Sequence, residues 1–281
     1  MHGTGPSKPL HMSIDSTHIK GNGTLGRYIL LPGSDGRAAE MAKRLHDVKT
    51  IEHNRRHNFY LGHIIENGQQ VDIGIMSSGM GCPSMDIIAT ELLQIGARRI
   101  IRVGTAGSLQ PKTMRVGHIV VPTAAVRDEG TSRHYLDPSI PVLSSLDFLD
   151  VTRRVAKDKG LEKALSLGLV HTKDSLYARE FGQGPLVEKN KVYMDHLKAA
   201  GVLASEMECA QLFTLIQNAD YTARTHEPDG PGVRGGAILA IVGDDDPFTD
   251  NETVIADTVN ATIAFGFDVI KAWAKGDSKW F

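Results

Sequence analysis

At 281 residues the chain is long enough for one large α/β domain with a sizeable core, and two small domains are not required. Its 31 Lys and Arg against 33 Asp and Glu give a formal charge of −2, without the overall basic excess that would favour nucleic acid or an anionic membrane as the main partner. An anion must therefore be met locally, by a few placed arginines.

Residues 1–10 are polar, bear Gly and Pro, and are expected to be mobile; His11 and His18 follow, and the remainder, 11–281, reads as one domain. The start lacks the apolar core of a signal peptide. Two cysteines, Cys82 and Cys209, lie far apart without metal-type spacing, and no apolar run approaches a membrane span of roughly 18 residues, so a cytoplasmic setting is expected. The first clear unit is a buried strand, Arg27 to Leu31, with a Pro32-Gly33 turn and an amphipathic helix from Ala38 to Leu45. Its turn places Gly33 and Arg37 at a helix N-terminus, a natural anion site. A basic cluster, Arg55, Arg56 and His57, lies between candidate strands over 51–65, where a solvated face is the plainer alternative. A strand from Val71 to Ser78 runs through Gly79-Met80-Gly81-Cys82-Pro83-Ser84 into a helix with Ile87, Ile88, Leu92 and Leu93 on its apolar face, closed by Gly96.

That helix delivers the chain into Arg99-Ile-Ile-Arg-Val-Gly-Thr-Ala-Gly-Ser108, read as a short apolar strand broken by Arg102 and followed by a Gly-rich turn. An arginine at the end of a buried strand is expensive unless an anion meets it. The turn would add the Thr105 and Ser108 hydroxyls and backbone N–H groups that Gly104 and Gly107 leave accessible. Together these describe a phosphate cup at a strand's carboxyl end, where ligands sit in open α/β sheets. The alternative is a surface arginine on an edge strand.

Strands at Val116–Pro122 and Ala124–Val126 follow, then a helix from Ser145 to Lys159 and a strand from Leu167 to Thr172. The loop Tyr177–Pro185 presents Arg179 and Gln183; an amide both donates and accepts, which suits a carbonyl-rich heterocycle, although on chemistry alone loop-surface positions are the plainer alternative for both. After a helix from Glu188 to Ala200, Glu206-Met207-Glu208 enters an apolar helix. An inward Glu208 could accept from a vicinal diol, whereas solvated helix-start charges are the alternative. Residues 220–236 read as a surface loop, and a last strand, Ala237–Val242, opens into Asp244, Asp245 and Asp246, which could supply a proton, hold a cation or cap a turn. A final helix spans about Glu252 to Lys275.

In order and spacing, Pro32-Gly33 with Arg37, Gly79 to Ser84, Arg102-Val103-Gly104-Thr105 and Glu206-Met207-Glu208 resemble the nucleoside phosphorylase family of uridine phosphorylases and bacterial-type purine enzymes, over roughly residues 11–272. The resemblance implies an α/β domain with a mixed central sheet flanked by helices. It also implies a homodimer or larger homo-oligomer whose sites are shared across the interface, with phosphate as co-substrate and neither organic cofactor nor metal. Gly33, Arg37, Arg102 and Thr105 match phosphate-binding positions, and Arg55, or else Arg56, an arginine lent by the neighbouring subunit. Met207 and Glu208 match ribose contacts, and His11, or else His18, the histidine that reaches a neighbour's ribose. For the base, Gly182-Gln183-Gly184 and Glu188 to Lys191 resemble a uracil-recognition insert, with Pro185 where that insert carries an arginine and Arg179 as a substitute. Asp244 falls near the general acid of purine enzymes. The expectation is therefore a pyrimidine-salvage uridine phosphorylase, with a purine nucleoside phosphorylase as the alternative and a nucleosidase or non-catalytic binding protein behind it.

Overall fold

The computed structural model describes residues 8–244 and 252–280. Its elements in chain order are α1 (Ser16–Ile19), β1 (Tyr28–Leu31), α2 (Asp35–Ala42), β2 (His46–Ile51), β3 (Phe59–Glu66), β4 (Gln69–Met76), α3 (Cys82–Gln94), β5 (Arg99–Ser108) and β6 (Ile119–Asp128). Then come β7 (Val142–Leu143), α4 (Leu146–Asp158), β8 (Leu165–Lys173), α5 (Leu176–Arg179), α6 (Val187–Ala199), β9 (Ala204–Glu206), α7 (Cys209–His226), β10 (Arg234–Gly243) and α8 (Glu252–Asp277).

All strands join one mixed sheet, in the order β10-β6-β8-β9-β5-β1-β4-β3-β2 with β7 beside β6. A further pairing of β10 with β5 makes β5, β10, β6, β8 and β9 close on themselves, so the sheet is partly a barrel. The open wing is ordinary hairpin chemistry: β3 and β4 are joined by Asn67-Gly68, both at positive φ, as a two-residue turn between right-twisted strands demands. Helices cover both faces over two apolar layers, one around Ile29, Phe59, Ile88 and Phe213, the other around Tyr28, Ile101, Phe148 and Trp273. This is the α/β arrangement expected.

Several boundaries differ from the sequence expectation for identifiable reasons. Helix α2 starts earlier because the Ser34 hydroxyl caps it, accepting from the Arg37 N–H at 3.4 Å. Residues 104–108 are strand and not turn, because β10 pairs along this part of β5 as far as Gly107 and β9 pairs with Gly107 and Ser108, which satisfies the backbone of the Gly-rich segment. The supposed loop 220–236 is helical to His226. Leu10, expected in a mobile segment, donates its N–H to Glu91 Oε1 at 2.9 Å, while residues 1–7 lie outside the described residues. Helix α8 is long and apolar enough by length and composition to cross a membrane, yet its inner face places Ile263, Phe267, Ile270 and Trp273 in the core.

One ion pair locks α8 to the sheet. Arg99, fully buried on β5, donates Nε and Nη2 to Asp277 at 2.8 and 2.9 Å, and the Tyr28 hydroxyl donates to the same carboxylate at 2.7 Å. Asp277→Ala leaves that guanidinium buried and unpaired, and a loss of about 3–5 kcal/mol is expected in urea unfolding; a loss below 1 kcal/mol would mean water reaches Arg99.

Candidate active site

The site lies at the carboxyl ends of β1, β5, β8 and β10, in a cavity of about 260 Å³. Gly33, Ser34 and Arg37 come from the β1–α2 connection, Arg102 and Thr105 from β5, and Glu206, Met207 and Glu208 from the β9–α7 junction. Six of the predicted phosphate- and ribose-contact residues, Gly33, Arg37, Arg102, Thr105, Met207 and Glu208, thus share one cavity wall.

Arg102 is the centre of the site. It is 4 % exposed on a central strand, flanked by Leu31 and Ala237, which rules out the surface, edge-strand alternative. Its guanidinium folds back over Gly104: a Cβ there would stand 2.8 Å from Arg102 Cζ. Gly104 therefore makes room for a cation and does not, as expected from sequence, open the backbone to an oxyanion. Arg102 Nη2 donates to Glu208 Oε2 in a short ion pair, and Nε lies 3.6 Å from Glu206 Oε2. Burial works against this charge, but the Glu208 and Glu206 carboxylates more than offset it and hold the Arg102 pKa above its ordinary value. Buried Nε and Nη1 have no hydrogen-bond acceptor among the described residues, so the guanidinium has donors left for an anion.

The second cation differs. No carboxylate of the described residues lies within ion-pair distance of Arg37, and burial together with the like charge of Arg102 pushes its pKa down. Two guanidiniums that repel each other across a cavity are relieved by an anion placed between them.

Glu206 and Glu208 have separate tasks. Glu206 is buried and accepts from Thr172 Oγ1 at 2.5 Å and from the N–H groups of Glu208 and Cys209 at 2.8 and 3.0 Å, so it is a helix-start carboxylate, though not a solvated one. Glu208 accepts the Gly81 N–H on Oε1 at 2.7 Å and Arg102 on Oε2. A carboxylate has about four lone-pair directions, so Glu208 can still accept from a diol. Cys82 packs beside it, donating from Sγ to the Met207 carbonyl at 3.3 Å, and burial pushes that thiol's pKa up, so it has no nucleophilic character.

The remaining predictions fall elsewhere. Gln183 is exposed and outside the cavity, its N–H donating to the Tyr177 carbonyl at 3.1 Å, because the α5 turn presents Glu180 to the cavity in its place. Arg179 is held by Asp128 and Asn190 at 2.8 and 2.6 Å and stacks over Tyr193, so it does not line the cavity either. It borders a neighbouring cavity of about 280 Å³ that shares Gly107 and Glu180 with the first. Asp244 lines that second cavity, accepting from the Val116 N–H at 3.3 Å; Asp245 and Asp246 lie outside the described residues. Arg55 and Arg56 are exposed on the β2–β3 connection, His11 rests on Glu91 at 2.9 Å, and His18 pairs with Asp15; none lines the cavity of its own chain.

Among the lining residues that the sequence did not single out are Lys173, Glu180 and Ser205. Lys173 carries the same signal as Arg102, a cation at the carboxyl end of an apolar strand. Glu180 carried none, since only the α5 turn aims it inward.

Against this geometry, the Phosphorylase superfamily model matches residues 27–223. The chain is 33 % identical to a uridine phosphorylase of Treponema pallidum over 78 % of each chain. It is also 33 % identical to one of Thermococcus kodakarensis, over 78 % of this chain and 73 % of the relative. A guanosine phosphorylase of Halorubrum lacusprofundi is 29 % identical over 79 % of this chain and 80 % of its own. The solved uridine phosphorylase of Vibrio fischeri has the same fold, with a TM-score of 0.75 at 23 % identity over 95 % of this chain and 97 % of that one.

Proposed function

The chain belongs to the phosphorylase superfamily and is a nucleoside phosphorylase, a pentosyltransferase; from there we propose that the nucleoside it splits is uridine. The observation that carries the reading is the pair of guanidiniums, Arg37 and Arg102, in one cavity with Glu208, an anion site beside a diol acceptor.

Phosphate held by Gly33, Arg37, Arg102 and Thr105 attacks C1′ through one oxygen as the bond from C1′ to the base breaks. The bonding pair stays on the base, and the proton of hydrogen phosphate balances it, giving uracil and ribose 1-phosphate. Holding the dianion below C1′ supplies the positioning and offsets the positive charge that develops on the ribose. Glu208 and Met207 fix the sugar. These steps use phosphate as co-substrate and call for no organic cofactor.

Charge balance supports a shared site. The described lining residues include Arg37, Arg102 and Lys173 against Glu180, Glu206 and Glu208, so the cavity is neutral before a dianion enters. Another cation from outside the chain would complete it. Arg55 of a second copy, with its His11 toward the ribose, fits that need in a homodimer or larger homo-oligomer.

Uridine is supported by the names of the 33 % identical relatives. A 6-oxopurine nucleoside is the second reading, favoured by Asp244 on the adjoining cavity wall, where it could protonate a purine base. The test is base release from uridine and from inosine, each with and without phosphate, followed by ultraviolet absorbance. Phosphate-dependent cleavage of uridine is expected. Cleavage of inosine alone would promote Asp244, and equal rates without phosphate would overturn phosphorolysis.

A further inference from the structure

The Lys173–Glu180 pair is not among the residues assigned above to phosphate or ribose, although it lines the same cavity. Lys173 ends β8 and is buried; its Nζ donates to Ser205 Oγ at 2.9 Å and lies 2.7 Å from Glu180 Oε1. Glu180 follows α5, and its side chain is only 11 % exposed. A buried ion pair is a poor source of stability, because desolvation of both charges consumes most of the attraction. This one does not sit in the packed core but on the cavity wall, beside Leu176, Ser205 and Met207.

Its hydrogen bonding is also incomplete. Glu180 Oε1 contacts Nζ as an ion pair without an in-line hydrogen bond, so the partly exposed carboxylate keeps lone pairs for a further donor. An ammonium has three donors, of which Ser205 accepts one in line. The pair thus offers a ligand one acceptor and one donor side by side, with fixed polarity: a carboxylate accepts only, and an ammonium donates only.

Building on the nucleoside phosphorylase reading, we propose that Lys173 and Glu180 read the base edge and restrict it to lactams. Glu180 accepts the ring N–H and Lys173 donates to the adjacent ring carbonyl. Uracil presents N3–H beside a carbonyl, and a 6-oxopurine presents N1–H beside C6=O. Cytosine and adenine present the reverse, a bare ring nitrogen beside an amino group, so both would set acceptor against acceptor and donor against donor. Sites that hydrogen-bond a substrate N–H discriminate strongly, because the wrong partner leaves buried polar groups unpaired. Lys173 is also placed where negative charge gathers on the departing base, so its contact strengthens as the glycosidic bond breaks. Of the expected readers, Arg179 is engaged by Asp128 and Asn190, and Gln183 lies on the surface.

The test measures kcat/KM at saturating phosphate for uridine, inosine, cytidine and adenosine, with binding of free uracil and hypoxanthine followed by calorimetry. The wild-type enzyme, Glu180→Gln, Glu180→Asp and Gln183→Ala are compared. Glu180→Gln can rotate its amide to present a donor. It is therefore expected to lower kcat/KM for the preferred lactam nucleoside by about 30- to 100-fold and to narrow its lead over the amino-base nucleoside by at least about tenfold. Its KM for phosphate should stay within about twofold, a sign that the fold and the anion site survive, and Glu180→Asp, which keeps the acceptor charge, should retain the preference. An unchanged lactam preference in Glu180→Gln, or loss of that preference in Gln183→Ala alone, would overturn the proposal. A wild-type enzyme that cleaves no nucleoside with phosphate would instead defeat the parent reading. Base binding would still judge the pair, since uracil or hypoxanthine should bind the wild type and be lost in Glu180→Gln, and equal binding by both would overturn it.

Discussion

Arg102→Gln is expected to lower kcat/KM for phosphorolysis by about three orders of magnitude, the upper end of what one preorganised charge-stabilising donor contributes. Two effects add. The variant removes a guanidinium with unspent buried donors from the anion end, and it leaves Glu208 and Glu206 buried without their cation. Arg102→Lys keeps the charge but loses the planar fork, and a fall of about a hundredfold is expected. Steady-state kinetics with varied phosphate would read both. Melting provides an independent measure: phosphate binds only the folded protein and should raise the wild-type Tm, a shift that Arg102→Gln should lose. Activity within tenfold of wild type, with the phosphate shift intact, would place the anion elsewhere.

Glu208→Gln is nearly isosteric yet carries one acceptor and one donor group where the carboxylate has only acceptors. Hydrogen bonds to a charged group contribute about 1.5–3 kcal/mol each, so losing the two to a ribose diol predicts a fall of about a hundredfold or more in kcat/KM for a ribonucleoside. The sharper signature is selectivity. A 2′-deoxynucleoside offers one of the two hydroxyls, so the wild-type lead of ribo over 2′-deoxy should collapse in Glu208→Gln, as measured by competing the two substrates. An unchanged ratio would mean that another residue binds the diol.

The recognition motifs were legible because each violates the local apolar pattern. Arg102 interrupts Ile100, Ile101 and Val103, and Glu208 opens an apolar helix; charges at such positions need a partner, and the structure pairs them with each other. The partnership itself was not legible, because β5 and the β9–α7 junction lie about a hundred residues apart in the chain and meet only through β9 pairing on β5. The Gly-rich run after Arg102 misled for a related reason. Glycine marks a turn or a close approach, and here the approaching group is the guanidinium of Arg102.

The base end shows the opposite case. Gln183 had suitable chemistry at a suitable spacing, but its direction depends on how α5 winds, and one turn of helix puts Glu180 against the cavity and Gln183 on the surface. The resemblance to the family supplied the match of Arg102 and Glu208 to phosphate and ribose contacts, whereas composition and periodicity by themselves determined an α/β chain with a mixed sheet and two charges out of place in apolar runs. These follow from side-chain chemistry and from repeats short enough to read along the chain. Closure of β5, β10, β6, β8 and β9 into a ring, the pairing of Arg102 with Glu208 and the placement of Lys173 beside Glu180 were decided only by tertiary structure. Each depends on strands distant in sequence becoming neighbours, or on the angle at which a short turn leaves a strand, and neither is encoded in local spacing.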